Sequence, residues 1–313
     1  MNKSRTHKMK YSVIVPVYNG ETTIGELFKR THSFFVKNKL EFEMVFVHDC
    51  GKDKSWKVLE RIKMEYSDVV RIIKLSRNFG QHNALICGFE YANGDFFITM
   101  DEDLQHDPED ILRLIDEQQK GDYDVVYGTY DQLRHSAFRN LTSRMARKII
   151  HFGIPDVFPN YTAYRLIKAT VGRQTLEMLN SYTFLDGYLA WVTSNFSSCQ
   201  VSHHDRFSGE SSYTLKKLIN HSINIFITFS SLPIRLLRKL SYLVIVITGC
   251  YSVYIIFRKI LSDDFALGFP TIVLGIGFSL GIIMFALGII GEYLFQINLK
   301  TTKRPNYVVK KVF

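Results

Sequence analysis

The amino-acid sequence predicts an α/β protein in which a doubly wound, mostly parallel, twisted sheet is followed by amphipathic helices and a two-helix transmembrane hairpin. Short apolar runs alternate with stretches of helical periodicity between residues 11 and 127. This is the pattern of parallel strands covered by helices on both faces. Beyond residue 235, two long runs contain no Asp, Glu, Lys or Arg. Each is close to the roughly 20 residues that cross a bilayer.

The predicted elements of the sheet follow one another in a regular order. The first strand, 11–17, is a β-branched run that ends at a proline and an Asn-Gly turn. Similar apolar runs predict strands at 42–47, 69–75, 95–100 and 124–127. Apolar residues at helical spacing predict helices at 22–38, 55–66, 83–92 and 108–119.

Polar residues follow the predicted strand ends. Asp49 comes after the second strand, 77–78 after the third, 101–103 after the fourth and 128–130 after the fifth. Ligands of open α/β sheets bind in the crevice at the carboxyl ends of the strands. The sequence therefore predicts a ligand site at this edge.

The two uncharged runs predict membrane spans at about 241–257 and 268–290. Basic residues lie outside both runs, at 235–239 before the first and 300–311 after the second. The positive-inside rule then places the α/β domain and both termini in the cytoplasm, in a multi-pass protein of the inner (plasma) membrane. For the first run alone, a buried core helix is the alternative.

The predicted domain layout follows from these runs. A cytosolic α/β domain covers 1–210, an interface helix 211–238, the hairpin 239–295 and a basic cytosolic tail 296–313. Residues 134–152 form a further amphipathic stretch with cationic side chains among apolar ones. Next to membrane spans, both amphipathic stretches predict helices that lie in the lipid interface, and ordinary surface helices are the alternative.

Charge and cysteine content narrow the class of partner. The formal net charge is +9, yet Lys and Arg concentrate near the apolar runs and are not interleaved with aromatics on one element. Anionic lipid headgroups therefore explain the excess better than nucleic acid does.

The four cysteines are scattered without metal-ligand spacing, which indicates reduced thiols on a cytosolic face. A basic N-terminus followed by a strand predicts no cleaved signal peptide.

Asp101-Glu102-Asp103 is the candidate metal motif. Two carboxylates at i and i+2 after a buried strand suit Mg²⁺ or Mn²⁺, with substrate phosphates completing the shell. Alternation off the strand end sends Asp101, Asp103 and Gln105 to one side. Taken alone, such a triplet is more often a solvated turn.

Several longer motifs occur in order along the chain. They are VPVYN at 15–19, Asp49 in FVHDCGKDKSW, LSRNFGQHNAL at 75–85, GD..ITMDEDLQHDPEDI at 94–111, RFSGESSYT at 206–214, SLP.RLL at 231–237, LGIIGEYL at 287–294 and KRPNYVV at 303–309. Together they resemble family-2 glycosyltransferases of the polyprenyl-phosphate type, the group of dolichol-phosphate mannose synthase-like, bactoprenol glucosyltransferase-like and undecaprenyl-phosphate aminoarabinose transferase-like enzymes. The resemblance covers essentially the whole chain.

The resemblance implies a nucleotide-diphospho-sugar transferase domain of the GT-A type. Its reaction is metal-dependent, inverting transfer of a sugar from a nucleotide-diphosphate-sugar to a polyprenyl phosphate, giving a lipid-linked sugar for cell-surface glycan modification. The implied nucleotide-sugar ligands are Pro16, Tyr18, Asp49, Asp101 and Asp103. The implied metal ligands are Asp101, Asp103 and Gln105. The implied acceptor-phosphate ligands are Arg139, Ser143 and Arg206, and Asp103 and Arg206 are the residues expected to carry catalysis.

Four positions depart from the pattern of that family. Gly20 replaces a usual Glu, His48 a usual Asp or Asn, Tyr130 a usual Arg and Ala163 a usual Asp; Asp156 lies upstream as a substitute for the last. The departures at Tyr130 and Ala163 are compatible with one alternative, a catalytically impaired membrane scaffold or binding subunit of a glycan-assembly system. The retained residues Asp101, Asp103, Arg139, Ser143 and Arg206 argue against that alternative.

Two other classes fit less well. A processive polysaccharide synthase would carry Gln-x-x-Arg-Trp, which the sequence lacks, and a nicotinamide enzyme would have GxGxxG after a strand. Gly277-x-x-x-Gly281 in the second apolar run indicates helix packing, and hence homo-oligomerisation, only weakly.

Overall fold

A computed structural model describes residues 8–130, 157–178, 183–202, 268–301 and 305–313, with single positions between 239 and 261. The strands are β1 Lys10–Val17, β2 Glu41–His48, β3 Val70–Leu75, β4 Phe96–Thr99, β5 Val125–Thr129, β6 Arg165–Lys168, β7 Phe196–Gln200 and β8 Val309–Val312. The helices are α1 Ile24–Lys37, α2 Ser55–Glu65, α3 Gln81–Tyr91, α4 Ile111–Gly121, α5 Ala169–Gln174, α6 Leu185–Val192 and α7 Phe269–Thr301. Short 3-10 turns cover Pro108–Asp110 and Thr175–Glu177.

The eight strands form one sheet in the order β7-β5-β6-β4-β1-β2-β3-β8. The central strands β4, β1, β2 and β3 run parallel, as the sequence predicts. Strand β6 is antiparallel to both its neighbours, and β8 is antiparallel to β3. The prediction of a mostly parallel sheet is thus correct for the centre, while the whole sheet is mixed.

Apolar side chains fill both faces of the sheet. In β1, Val13, Val15 and Val17 belong to one buried cluster and Ile14 to the other. Successive side chains of a strand point to opposite faces, so a strand covered on both sides must be apolar throughout. This explains why the central strands appear in the sequence as continuous apolar runs.

Helix α1 shows why the surface elements are amphipathic. Its buried positions are spaced three or four residues apart and are Ile24, Leu27, Phe28, Thr31, Phe34 and Phe35. This spacing forms one face of a helix, which packs on the sheet and leaves the polar face in solvent.

The C-terminal segment differs from the expected basic tail. Residues 296–301 belong to the end of α7, and 309–312 form β8 at the edge of the sheet. The Ser76 amide donates to the Val308 carbonyl, and Ile72 and Phe313 exchange backbone hydrogen bonds. The C-terminal residues form a strand here because β3 would otherwise be an edge strand, whose unpaired backbone groups readily accept a partner.

Helix α7 is 33 residues long and carries many exposed apolar side chains; not all of its side chains are described. Among the residues that the structure describes, no helix meets the length and hydrophobicity needed to cross a membrane. The expected hairpin of 241–257 and 268–290 therefore remains a prediction. The expected interface helices at 134–152 and 211–238 lie outside the described residues.

Candidate active site

The carboxyl ends of the central strands bring the predicted donor and metal residues that the structure describes to one edge of the sheet. The register places Val17, the last residue of β1, beside His48, the last residue of β2. Ile14 of β1 pairs with Thr99, the last residue of β4. The loops after β1, β2 and β4 therefore start next to one another.

Asp49 is buried at the end of β2 and holds the loop that precedes α3. Its Oδ1 accepts a hydrogen bond from the Phe79 amide at 2.7 Å, and its Oδ2 accepts one from the Gly80 amide at 2.8 Å. Burial raises the pKa of the Asp49 carboxyl, and the two amides oppose that rise. The structure thus shows Asp49 orienting a loop at the expected donor site.

Two further residues expected to bind the nucleotide-sugar, Pro16 and Tyr18, lie at the end of the first strand. Pro16 is buried within β1, while Tyr18 lies beyond its end with 45% of its surface exposed. Asn19 follows in a left-handed conformation, φ 61°, and its side-chain oxygen accepts a hydrogen bond from the Lys52 amide. The turn is therefore tied to the loop after β2 and presents an aromatic ring at the site edge.

The acidic loop after β4 is held by neighbours that the sequence does not reveal. Asp101 Oδ1 accepts a hydrogen bond from Gln81 Nε2 at 2.6 Å. The Asp101 amide donates to His106 Nδ1 at 3.2 Å, and Asp103 Oδ1 accepts from the Gln105 amide at 3.2 Å. Leu104 is buried in a left-handed conformation, φ 64°, which is costly for a residue with a side chain and needs support from its surroundings.

His106 is buried in an aromatic stack beside this loop. Its ring lies 4.7 Å from that of Tyr164 and 6.2 Å from that of Tyr130, both nearly parallel to it. Burial, and then Asp101 and Asp103, raise the pKa of the Tyr130 hydroxyl. Tyr130, a departure from the family pattern, therefore lies in the field of the two carboxylates.

Glu102, between the two aspartates, makes different contacts. Its Oε1 accepts a hydrogen bond from the Tyr18 amide at 3.3 Å. Burial, and then Asp101 and Asp103, raise the pKa of Glu102 to about 8, although two backbone amides oppose that rise. Glu102 therefore links the acidic loop to the turn after β1 in surroundings that disfavour its ionised form.

The donor set of this loop fits a divalent cation that also binds phosphate oxygens. Asp101, Asp103 and Gln105 offer the oxygen ligands that Mg²⁺ and Mn²⁺ take. Within the described residues, no three His, Cys, Asp or Glu side chains gather closely enough to hold a metal ion by themselves. A cation here would therefore need other ligands, which substrate phosphates provide in such sites.

Position 163, where the family pattern has an acid, shows only a backbone contact. Thr99 Oγ1 donates to the Ala163 carbonyl at 2.6 Å. The nearby segment instead buries an ion pair, in which Arg165 contacts Asp186 at 2.6 Å, and the Tyr127 hydroxyl donates to the same carboxylate at 3.0 Å. This network was not predicted, because its members come from three separate parts of the chain.

Four further predicted residues fall on segments outside the described residues. Arg139, Ser143 and Arg206, the expected acceptor-phosphate ligands, and Asp156, the suggested substitute for the acid at 163, belong to this group. Their placement relative to the acidic loop stays a prediction.

The family model for glycosyl transferase family 2 matches residues 12–175. This chain belongs to glycosyl transferase family 2. The match runs from β1 to the turn after α5, so it includes the loops after β1, β2 and β4 and the acidic triplet. The resemblance based on sequence motifs is therefore confirmed.

Relatives of this family-2 chain match over nearly its whole length. An uncharacterized glycosyltransferase, YkcC, from Bacillus subtilis is 32% identical over 97% of this chain and 94% of its own. An undecaprenyl-phosphate 4-deoxy-4-formamido-L-arabinose transferase from Proteus mirabilis is 31% identical over the same shares. A prophage bactoprenol glucosyl transferase homolog from Escherichia coli is 28% identical over 97% of this chain and 99% of its own.

Solved structures support the fold. Glucosyl-3-phosphoglycerate synthase from Mycobacterium tuberculosis, solved with Mn²⁺, UDP-glucose and phosphoglyceric acid, superposes with a TM-score of 0.51. The two are 16% identical, and the match covers 71% of this chain and 78% of the other. The mixed-sheet α/β architecture of the GT-A type is thus the fold of this family-2 chain.

Proposed function

We propose that this chain is an inverting glycosyltransferase that moves a sugar from a nucleotide-diphosphate-sugar to a polyprenyl phosphate of the undecaprenyl or dolichyl type. The product would be a lipid-linked sugar for cell-surface glycan modification. The observation that carries the proposal is the acidic loop after β4, which lies at the carboxyl edge of the sheet beside the turn after β1. Relatives that match along their whole length and are named for bactoprenol or undecaprenyl phosphate support the lipid acceptor.

On the donor side, each residue has a distinct role. Tyr18 offers an exposed ring at the site edge, and Asp49 fixes the loop at Phe79 and Gly80. With Pro16 supporting the turn from within β1, these residues would bind the nucleoside. Asp101 and Asp103 would receive the diphosphate end.

Mg²⁺ or Mn²⁺ would be held by Asp101, Asp103 and Gln105 and, when bound, would neutralise the leaving diphosphate. The side chains of the protein would contribute by positioning the substrates and by placing positive charge near the phosphates. Asp103 orients its carboxylate through the Gln105 amide, and Arg206 would add positive charge at the phosphates. A solved neighbour of this fold contains Mn²⁺ and UDP-glucose.

The acceptor explains why no dedicated base is required. A polyprenyl phosphate is largely ionised near neutral pH, since the second phosphate pKa is about 6. It is therefore already a nucleophile, and Ala163 in place of an acid is compatible with transfer. Arg139 and Ser143, one helical turn apart in the predicted helix, would bind this phosphate together with Arg206.

Membrane attachment follows from the proposed acceptor. The two uncharged runs at 241–257 and 268–290 would form the hairpin of a multi-pass inner-membrane protein with cytoplasmic termini. The exposed apolar side chains of α7 support burial in lipid.

The decisive experiment is transfer from a panel of radiolabelled nucleotide-sugars to polyprenyl phosphate in membrane fractions, with and without Mn²⁺ or Mg²⁺. We expect one donor to yield a metal-dependent, chloroform-soluble product. If no donor gives a product, the proposal that this chain catalyses sugar transfer is contradicted. That result would favour the alternative, a catalytically impaired scaffold or binding subunit, which Ala163 and Tyr130 support.

A further inference from the structure

The Glu102 side chain reaches toward the turn after β1. Its Cγ lies 2.9 Å from the point where a Cβ on Gly20 would be, and its Oε1 accepts from the Tyr18 amide. Asp101, by contrast, contacts Gln81 at the start of α3. The middle residue of the triplet thus spans from the acidic loop to the first-strand turn.

Gly20 provides the space that Glu102 occupies. A methyl group on Gly20 would meet Glu102 Cγ at 2.9 Å and Ile24 Cγ1 at 3.2 Å. The turn has little freedom to move aside, because the Gly20 amide donates to Ser55 Oγ at 3.0 Å and its carbonyl accepts from the amides of Thr23 and Ile24. The glycine and the glutamate are therefore sterically matched.

We propose that Glu102 is a positioning residue that couples the Tyr18–Gly20 turn to the Asp101–Asp103 loop, so that the nucleoside and diphosphate parts of the donor are bound as one unit. This inference rests on the proposed function, because it assigns the turn and the loop to two ends of one donor molecule. Gly20 is the other partner in this contact, since a side chain at that position would displace Glu102 from the place it occupies beside the turn.

The coupling has a specific consequence for binding. Breaking the contact lets the turn and the loop shift relative to each other, so a ligand that bridges them binds less tightly. A ligand that touches neither, such as the lipid acceptor, is unaffected. The damage should therefore appear in donor affinity and in the KM for donor, with the KM for polyprenyl phosphate unchanged.

The test is a double-mutant cycle on the full chain in detergent, with Gly20→Ala, Glu102→Ala and both together. Binding is measured by calorimetry with Mn²⁺ and whichever of UDP, GDP, CDP or ADP binds the wild type most tightly. We expect Gly20→Ala to weaken binding about tenfold and to add almost nothing in the Glu102→Ala background, which is the signature of contacting residues. Glu102→Gln, which keeps an acceptor oxygen, should lose less than Glu102→Ala.

Two controls separate this mechanism from general damage. Gly25→Ala is the matched substitution, because a Cβ there meets nothing within 4 Å, and it should leave binding unchanged. Melting temperatures of all variants show whether the fold survives. The proposal is overturned if the two single effects add, or if Glu102→Ala binds the nucleotide like the wild type.

The outcomes also distinguish this inference from the proposed function. If the wild-type chain transfers sugar but the effects of the two single substitutions on nucleotide binding add, the proposed function stands and the coupling is wrong. A wild-type chain that binds no nucleoside diphosphate overturns both.

Discussion

At Asp103, the charge of the carboxylate can be removed without changing its local hydrogen bond. Its carboxylate contacts the Gln105 amide of its own loop, so an amide of the same shape preserves the local geometry and removes only the charge. We expect Asp103→Asn to lower sugar transfer by roughly 10²-fold or more, the usual loss when one preorganised electrostatic group is removed from an active site. Folding into membranes should be unchanged.

The matched control is Asp116→Asn on the exposed face of α4, which removes the same charge far from the loop. Transfer by the control should equal that of the wild type. An unchanged rate for Asp103→Asn, measured with the same donor and metal, would remove this carboxylate from the mechanism.

His48 provides a prediction about stability and pH. It is buried at the end of β2, and neither ring nitrogen has a hydrogen-bond partner among the described residues. Burial, and then Lys74, lower the pKa of the imidazole below its ordinary 6.5, so the folded protein keeps it neutral. Below that pH the unfolded chain takes up a proton that the folded protein does not, and stability is lost as the pH falls.

We expect the melting temperature to fall between pH 7.5 and pH 5.5, and to fall less steeply in His48→Met, which has similar volume and no titrating group. The measurement is thermal unfolding of both proteins across this range. Identical slopes would show that His48 is not the group responsible.

The residues that could be predicted at the site are those whose type and spacing carry the information. Asp101 and Asp103 stand out because two carboxylates two residues apart follow an apolar run. Gln81 and His106 do not, since the Gln81 contact with Asp101 depends on how α3 packs beside the acidic loop, and the His106 contact depends on how that loop folds back on itself. Amide and imidazole groups at such positions are too common to be recognised without a structure.

Among the elements, β8 makes the clearest case for a long-range contribution to stability. It pairs with β3 at the edge of the sheet, and the Phe313 ring lies 6.2 Å from that of Trp56 on α2. Deleting 309–313 uncovers Ile73 and the backbone groups of Ile72. We expect a loss of about 1–3 kcal/mol in the free energy of unfolding, because each intramolecular hydrogen bond that is exchanged for water costs about 0.5–1.5 kcal/mol net.

Lys310→Ala is the matched control, because this side chain is exposed and the change leaves the backbone hydrogen bonds of β8 intact. Denaturant unfolding should show a shift for the deletion and almost none for the substitution. Equal stability of the deletion and the wild type would mean that β8 adds nothing to the sheet.

The predicted elements agree with the structure where they are long and regular. The first five strands and the four helices among them lie within three residues of their predicted bounds, and the largest difference is at the start of α4, where a 3-10 turn covers Pro108–Asp110. Strands β6 and β8 have four residues each, as β4 does, but β4 (FFIT) has no charged residue whereas β6 (RLIK) begins and ends on one. Strand β8 also contains two lysines, which typify a solvated edge strand as much as a tail.

At the scale of the whole molecule, the open question about α7 is whether lipid covers it, because that determines whether the protein is integrated into the membrane. Ile276, Leu280 and Ile283 are each more than half exposed. If lipid covers this helix, lysine at these three positions is costly in the bilayer. We expect the triple variant to be released from membranes by alkaline carbonate while the wild type stays in the pellet.

Met64→Lys is the control, since Met64 is an apolar side chain on α2 that is 80% exposed and outside the predicted membrane region. It should pellet like the wild type. Release of the wild type itself would contradict membrane integration and leave the family-2 fold unaffected.

The pairing of β3 with β8 also means that the sheet can be completed only at the end of synthesis. Val309 pairs with Leu75, so one edge of the sheet stays open throughout synthesis of everything between them, α7 included. An open edge is a template for unwanted strand pairing, and contacts so distant in sequence form slowly. Translation that stalls within α7 would therefore leave a nearly finished catalytic domain with an unpaired β3, the nascent state most exposed to aggregation and most dependent on chaperones.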